Sequence, residues 1–148
     1  MPATFTAAQV LARLPHRHPM ALIDGIYDLE YGTSARGVKN VTISDPVFAG
    51  HFPTEPIYPG VMMIEAAAQV CGLILSDVSD GEQVVHGYLA SVKKFRFLHL
   101  VRPGDRLDIF ARSTVSFGGL TEFAVELRVG TRTVASGALA IALAKQSA

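Results

Sequence analysis

Residues 61–75, VMMIEAAAQVCGLIL, constrain this chain more than any other stretch. The run is apolar except for Glu65 and Gln69. The segment follows Pro59-Gly60, a good helix start, and reads as a helix over residues 61–76. Val61, Met62, Met63, Ile64, Val70, Leu73, Ile74 and Leu75 fall on all sides of that helix. A helix apolar all round is a buried helix. It is too short for a membrane span, which needs about 20 residues, and it carries a carboxylate. The surrounding chain must therefore wrap it. The small side chains of Ala66, Ala67 and Ala68 let a sheet approach closely.

The rest of the chain supplies that sheet. Residues 6–14 read as a short amphipathic helix capped by Thr4 or Thr6 and stopped by Pro15. Residues 20–31 and 34–43 read as strands around a turn at Gly32. Residues 44–59 carry four prolines and Gly50, and read as a loop without regular structure. Strands are expected at residues 83–97, 106–116, 120–129 and 133–143. Gly118-Gly119 and Gly130-Thr131 mark hairpin turns, Pro103-Gly104-Asp105 marks a tight turn, and His86-Gly87 marks a bulge or close backbone approach. The expected fold is α+β: an antiparallel sheet of about six strands wrapped around one long central helix, plus a short N-terminal helix. With 148 residues and no internal repeat, the chain reads as a single domain, 1–148.

Composition narrows the function classes. Net charge is zero by formal count, which gives no support for a nucleic-acid or membrane partner. One cysteine, Cys71, excludes an internal disulfide framework and any Cys-rich metal site. On an apolar helix it reads as a small core side chain. No secretory signal is visible at the N-terminus, and a cytoplasmic location is expected. His16 and His18 could form a metal pair, but no third ligand is spaced to join them, so no metal is expected.

The chemistry concentrates in GHFPTEPIYPGVMMIEAAAQ, residues 50–69. His51 sits in a loop stiffened by Pro53, Pro56 and Pro59, which suits a ring held in one orientation. Gly60 offers a bare backbone N–H at the helix start, backed by the helix dipole, and this suits an oxyanion. Glu65 and Gln69 are four residues apart and share one helix face. A carboxylate in an apolar helix needs a partner, water or a proton. Burial favours its protonated form and the helix N-terminus its charged form; where burial dominates, Glu65 is a general acid. A purely structural Glu65, bonded to Gln69 and a neighbouring strand, is the competing reading. Imidazole and carboxyl are the side chains most used for proton transfer.

HFPTEPIYPGVMMIEAAAQ resembles the signature of the β-hydroxyacyl-acyl carrier protein dehydratases of the FabZ type, HFPG-x-P-I-x-PGV-x-x-x-EA-x-AQ. The resemblance extends through LPHRHPMALID at residues 14–24, VKNV at 38–41, GYLASVKKFRF at 87–97 and VRPGDRL at 101–107. It implies a hot-dog fold and a lyase. In that reading His51 takes the α-proton of a β-hydroxyacyl thioester, and Glu65, contributed by a partner subunit, orients or protonates the leaving hydroxyl. The N–H of Gly60, joined by that of Val61, polarises the thioester carbonyl. The Ile57 carbonyl holds the other ring nitrogen of His51, and Gln69 supports Glu65. Glutamate rather than aspartate at position 65 implies dehydration without isomerisation.

The resemblance also implies a homodimer or larger homo-oligomer, with a hetero-oligomer with a homologue as a variant. No metal or organic cofactor is implied: the substrate rides on the phosphopantetheine of an acyl carrier protein, and the thioester itself acidifies the α-carbon. Thr54 departs from the family's glycine, and His18, Met20 and Gly25 from its Tyr, Phe and Arg. Leu98-His99-Leu100 replaces a basic pair and proline. Arg17, Lys93, Lys94, Arg96 and Arg102, with Arg13 and Arg36, remain as a carrier-docking patch, against the plain reading of a solvated charged face. The departures suggest a specialised member serving polyene, polyketide or related lipid synthesis. Met62, Met63, Phe48, Phe52, Tyr58 and Phe95 read as core, some lining an acyl tunnel. Two other functions compete: a hot-dog acyl thioesterase in which Glu65 activates water, and a catalytically silent acyl-binding partner subunit.

Overall fold

The computed structural model describes residues 2–77 and 86–143. In chain order the elements are β1 (Ala3–Phe5), α1 (Ala7–Arg13), β2 (Gly25–Glu30), β3 (Ser34–Asn40), a 3-10 turn (Pro46–Ala49), α2 (Gly60–Leu75), β4 (Gly87–Phe97), β5 (Arg106–Phe117), β6 (Leu120–Val129) and β7 (Arg132–Leu143). The strands form one sheet in the order β1-β2-β3-β5-β6-β7-β4, antiparallel at every step.

Alternation along the strands turns the sheet into a wrapper for α2. Leu107, Ile109 and Ala111 of β5 and Phe123, Val125 and Leu127 of β6 point inward and are buried. They share one core with Ala66, Ala67, Val70 and Ile74 of the helix. Asp108 and Phe110 of β5 and Ala124 and Glu126 of β6 alternate with them, and Asp108 is held by Arg36 at 3.0 Å and Arg106 at 3.1 Å. The β5–β6 hairpin closes through Gly118 and Gly119, at φ 59° and 79°, a turn that suits glycine in both places. Gly87 is a close approach as expected, since a Cβ there would stand 2.9 Å from Cγ2 of Ile141. Residues 83–85 of the strand expected at 83–97 lie outside the described residues.

Four expectations are corrected. The sheet has seven strands rather than about six, because β1 pairs with β2 through Ala3 opposite Leu29 and Phe5 opposite Ile26. Three residues are too few to show a period-2 pattern. Residues 20–24 are not strand. Their backbone is held instead by the amide of Gln69, which donates to the Met20 carbonyl at 2.6 Å and accepts from the Leu22 N–H at 3.0 Å. The loop over residues 44–59 contains a 3-10 turn, begun by Pro46 and capped by Asp45, whose carboxylate accepts from the Val47 N–H at 2.9 Å.

The fourth correction concerns α2, which is not covered on all sides. Val61 is 71% exposed, and Ile64, Glu65, Ala68, Gly72 and Leu75 are half-buried. Their three- to four-residue spacing makes one open stripe along the helix. Close approach of sheet and helix is also set elsewhere than at Ala68. Ala66 and Ala67 are fully buried, but the tightest crossing is at Gly37 of β3, where a Cβ would enter the Val70 side chain.

Candidate active site

The loop before α2 is fixed by a short ladder of its own. Phe52 and Glu55 exchange backbone hydrogen bonds at 2.9 and 3.0 Å, closing a tight turn over Pro53 and Thr54. The Ile57 N–H donates to the His51 carbonyl at 3.1 Å, and Nδ1 of His51 lies 2.7 Å from the Ile57 carbonyl. Tyr58 then donates its N–H to Val101 at 2.8 Å, tying the loop to the β4–β5 connection. The His51 ring stacks on Phe52 with centroids 4.0 Å apart. Thr54 is exposed at the tip with an ordinary backbone; among the described residues only Asp28 and Lys94 are non-glycines with positive φ. The position therefore makes no conformational demand for the glycine of the motif.

The helix start that follows has no side-chain cap. Met62 and Met63 direct their N–H groups to the Pro59 carbonyl at 3.0 and 3.2 Å. The N–H groups of Gly60 and Val61 have no acceptor among the described residues. Two unclaimed amides at the positive end of a helix form an anion site in outline. The Phe97 ring lies against Gly60: a Cβ there would stand 2.9 Å from Cε1 of Phe97. Sequence reasoning did not single out Phe97, and nothing local to β4 signals that contact.

Glu65 lies five residues further along α2, about 7.5 Å up the axis, on the open stripe. Its Oε1 accepts from Nε2 of Gln69 at 2.9 Å and lies 3.3 Å from Nε2 of His16. Its Oε2 has no partner among the described residues. The carboxyl lines a small cavity of about 60 Å³ with Arg13, His16, Gln69 and Ser76. His51 does not line that cavity. His16, half of a candidate metal pair in the sequence, turns instead to Glu65, a contact between residues 49 positions apart that no local pattern signals.

Buried neighbours complete the electrostatics. The Tyr58 hydroxyl is buried without a partner among the described residues. Burial first, then the negative charges of Asp45, Asp24 and Glu65, hold its proton far above the usual phenol range. Burial likewise pushes the Cys71 thiol well up, which leaves it inert as a nucleophile. A larger cleft of about 530 Å³ lies between residues 18–22 and the 3-10 turn, with Met62 on its wall. Of the basic side chains, Arg17 is engaged with the carbonyls of Leu11, Leu14 and His16, Lys93 with Glu122 and Arg102 with Glu55. Lys94 and Arg96 take no ion pair among the described residues.

An antiparallel sheet curled around one central helix is the hot-dog fold. Solved structures agree: the dehydratase heterocomplex ApeI:P from Xenorhabdus doucetiae superposes with a TM-score of 0.72 at 18% identity, covering 99% of this chain and 93% of that one. A hot-dog-like protein from Thermanaerovibrio acidaminovorans gives 0.63 at 18% identity, over 80% and 85% of the two chains. At the level of sequence the FabA-like domain matches residues 14–138, and the chain belongs to that family. Relatives named 3-hydroxyacyl-[acyl-carrier-protein] dehydratase FabZ are 39% identical in Clostridioides difficile, over 90% of this chain and 93% of the relative. The one in Syntrophotalea carbinolica is 39% identical over 97% and 98%.

Proposed function

We propose that this chain dehydrates (3R)-hydroxyacyl-[acyl carrier protein] thioesters to trans-2-enoyl thioesters, in fatty-acid or related polyene and polyketide lipid synthesis in the cytoplasm. The observation that carries the reading is the His51–Ile57 contact beside a helix start whose first two amides are unclaimed. With Nδ1–H donated to the Ile57 carbonyl, Nε2 is the basic nitrogen. It takes the α-proton while the thioester oxygen, gaining negative charge, is received by the N–H groups of Gly60 and Val61. The C–O bond at C3 breaks as Glu65 of the partner subunit gives its proton to the hydroxyl, and water leaves. The base has gained one proton and the acid has lost one, so the step balances and no cofactor enters it.

Two features favour a second copy of this chain as the source of the acid. β4 is the edge of the sheet, long and exposed, with one ladder unpaired and Leu89, Val92 and Phe97 open to solvent. Such an edge suits antiparallel pairing with its own copy. Glu65 sits on the uncovered stripe of α2, where a neighbouring subunit can reach it. A carrier protein would meet Lys94 and Arg96, whose side chains take neither an ion pair nor a hydrogen bond among the described residues; Arg17, Lys93 and Arg102 serve mainly to hold the local structure.

The test is direct. Purified protein is given a 3-hydroxyacyl or enoyl thioester on its carrier, with coenzyme A thioesters in parallel, and enoyl absorbance is followed together with free thiol. Enoyl interconversion that drops at least ~10²-fold in both His51→Ala and Glu65→Gln is expected. Unchanged turnover in both variants removes these roles, and steady thiol release without enoyl interconversion makes the chain a thioesterase.

A further inference from the structure

Glu65 has its two oxygens in different situations. Oε1 meets Gln69 at 2.9 Å and His16 at 3.3 Å, while Oε2 has no partner among the described residues. Gln69 cannot turn freely, because the same amide holds the Met20 carbonyl and the Leu22 N–H. The amide nitrogen must therefore face Glu65 as a donor.

His16 is placed as deliberately. It stands three residues past the end of α1, and its carbonyl accepts from Arg17 at 2.6 Å, which pins the backbone there. Its side chain is 27% exposed and that of Glu65 is 24% exposed, so the contact is shielded from much of the solvent. The other ring nitrogen, Nδ1, is buried with no partner among the described residues. His16 and Arg13 both line the cavity of about 60 Å³ behind Glu65, a volume that suits ordered water. The charged or titratable groups near this pair are Arg13 and Arg17 from the α1 side and Tyr58 from the loop before α2. Gly87, Leu89 and Ile141, which close the cavity from β4 and β7, carry no charge.

We infer that His16 is a positioning residue for the general acid: with Gln69 it occupies Oε1 of Glu65, so that the carboxyl carries its proton on Oε2 and presents that oxygen to the leaving hydroxyl. Two donors on one oxygen leave only the other for a proton. The same donors favour the carboxylate that remains once the proton has gone. The role rests on the dehydratase reading, and it assigns His16 no contact with substrate.

The experiment measures kcat and KM across pH for the intact protein and for His16→Ala and His16→Gln. Losing the ring should lower kcat about tenfold with KM changed less than about twofold, since part of a general acid's contribution of 10² or more depends on its aim. In His16→Gln an amide N–H restores the donor, and kcat should return toward the parent value.

A second measurement needs no His16 variant to fold. Followed by NMR of ring-labelled histidine, His16 should carry its ring proton on Nε2, the nitrogen that faces Glu65, and that N–H signal should shift in Glu65→Ala, where the acceptor is gone. An Nε2–H signal unmoved in Glu65→Ala, or a kcat unchanged in His16→Ala, overturns the assignment. Failure of the dehydratase reading looks different: the parent protein itself would then produce no enoyl thioester.

Discussion

Nδ1 of His51 and the carbonyl oxygen of Ile57 stand 2.7 Å apart, and that contact decides which ring nitrogen keeps its lone pair. A carbonyl accepts only, so a neutral ring bonded there has its proton on Nδ1 and its lone pair on Nε2. In the proposed dehydration, replacing His51 by alanine removes the base and leaves the amides of Gly60 and Val61 in place. The expected loss in kcat/KM is at least ~10²-fold. Exchange of the substrate's α-proton with heavy water, measured without turnover, should fall with it. In Glu65→Gln that exchange should persist, because the acid acts on the other side of the bond.

If each site joins His51 of one chain to Glu65 of the partner subunit, two dead variants can repair each other. A dimer of one His51→Ala chain and one Glu65→Gln chain has one site lacking both groups and one site with both intact. Random mixing makes half of all dimers of this kind, so about a quarter of the parent activity should return after the two are unfolded together and refolded. A mixture as inactive as its components would place both residues of each site in a single chain.

Gly60 serves two purposes, and they can be separated. Its amide has no acceptor among the described residues, and its missing Cβ leaves room for the Phe97 ring, which a methyl would meet at 2.9 Å. Gly60→Ala should therefore cost about 1–3 kcal/mol of stability, the usual range for overpacking, and lower kcat by moving the amide. Combining it with Phe97→Ala relieves the clash. Thermal unfolding should then recover part of the loss, and any activity that stays low reports the displaced amide.

Which parts of this arrangement could be read in the sequence follows from the range of the interactions involved. The α2 run, the hairpins at Gly118-Gly119 and Gly130, and the His51 loop are local, and period and turn chemistry reveal them. Six antiparallel strands also follow from the sequence; the seventh, β1, does not, because its three residues are strand only through pairing with β2. Residues 20–24 carry a strand-like composition. Their backbone is held by Gln69, 47 residues away from Leu22, and no local pattern encodes such a bond. The open stripe on α2 is hidden for a similar reason, since an exposed apolar helix face has the same composition as a buried one. His16 reaches Glu65 across 49 positions, so LPHRHP by itself does not announce the contact.

Gly37 and Val70 mark the tightest crossing of sheet and helix, and a methyl at Gly37 would fall into the Val70 side chain. Val70 is fully buried in the core, so it cannot swing aside. Gly37→Ala should destabilise the fold by about 1–3 kcal/mol in urea unfolding. Val70→Ala alone should cost about 1–3 kcal/mol as a cavity. The double variant should be less unstable than the sum of the two, because the new methyl occupies the space that Val70 vacates. Strict additivity would mean that helix and sheet separate at Gly37 rather than press together.

Cys71 gives the fold an alkaline limit. Burial holds its thiol protonated well above the ordinary value of 9.0, whereas in the unfolded chain the proton leaves near that value. Between the two the native state binds one more proton than the unfolded state, so stability must fall as pH rises past about 9. A single group sets a limit of about 1.4 kcal/mol per pH unit on that slope. Tyr58 adds to it only above 10.0, the ordinary phenol value. Urea midpoints measured between pH 8 and 10 should therefore decline for the parent chain and decline less for Cys71→Ala, whatever the alanine costs at neutral pH. Equal slopes in the two proteins would mean that the thiol reaches water in the native state. Iodoacetamide would then label it without unfolding, instead of being excluded as complete burial requires.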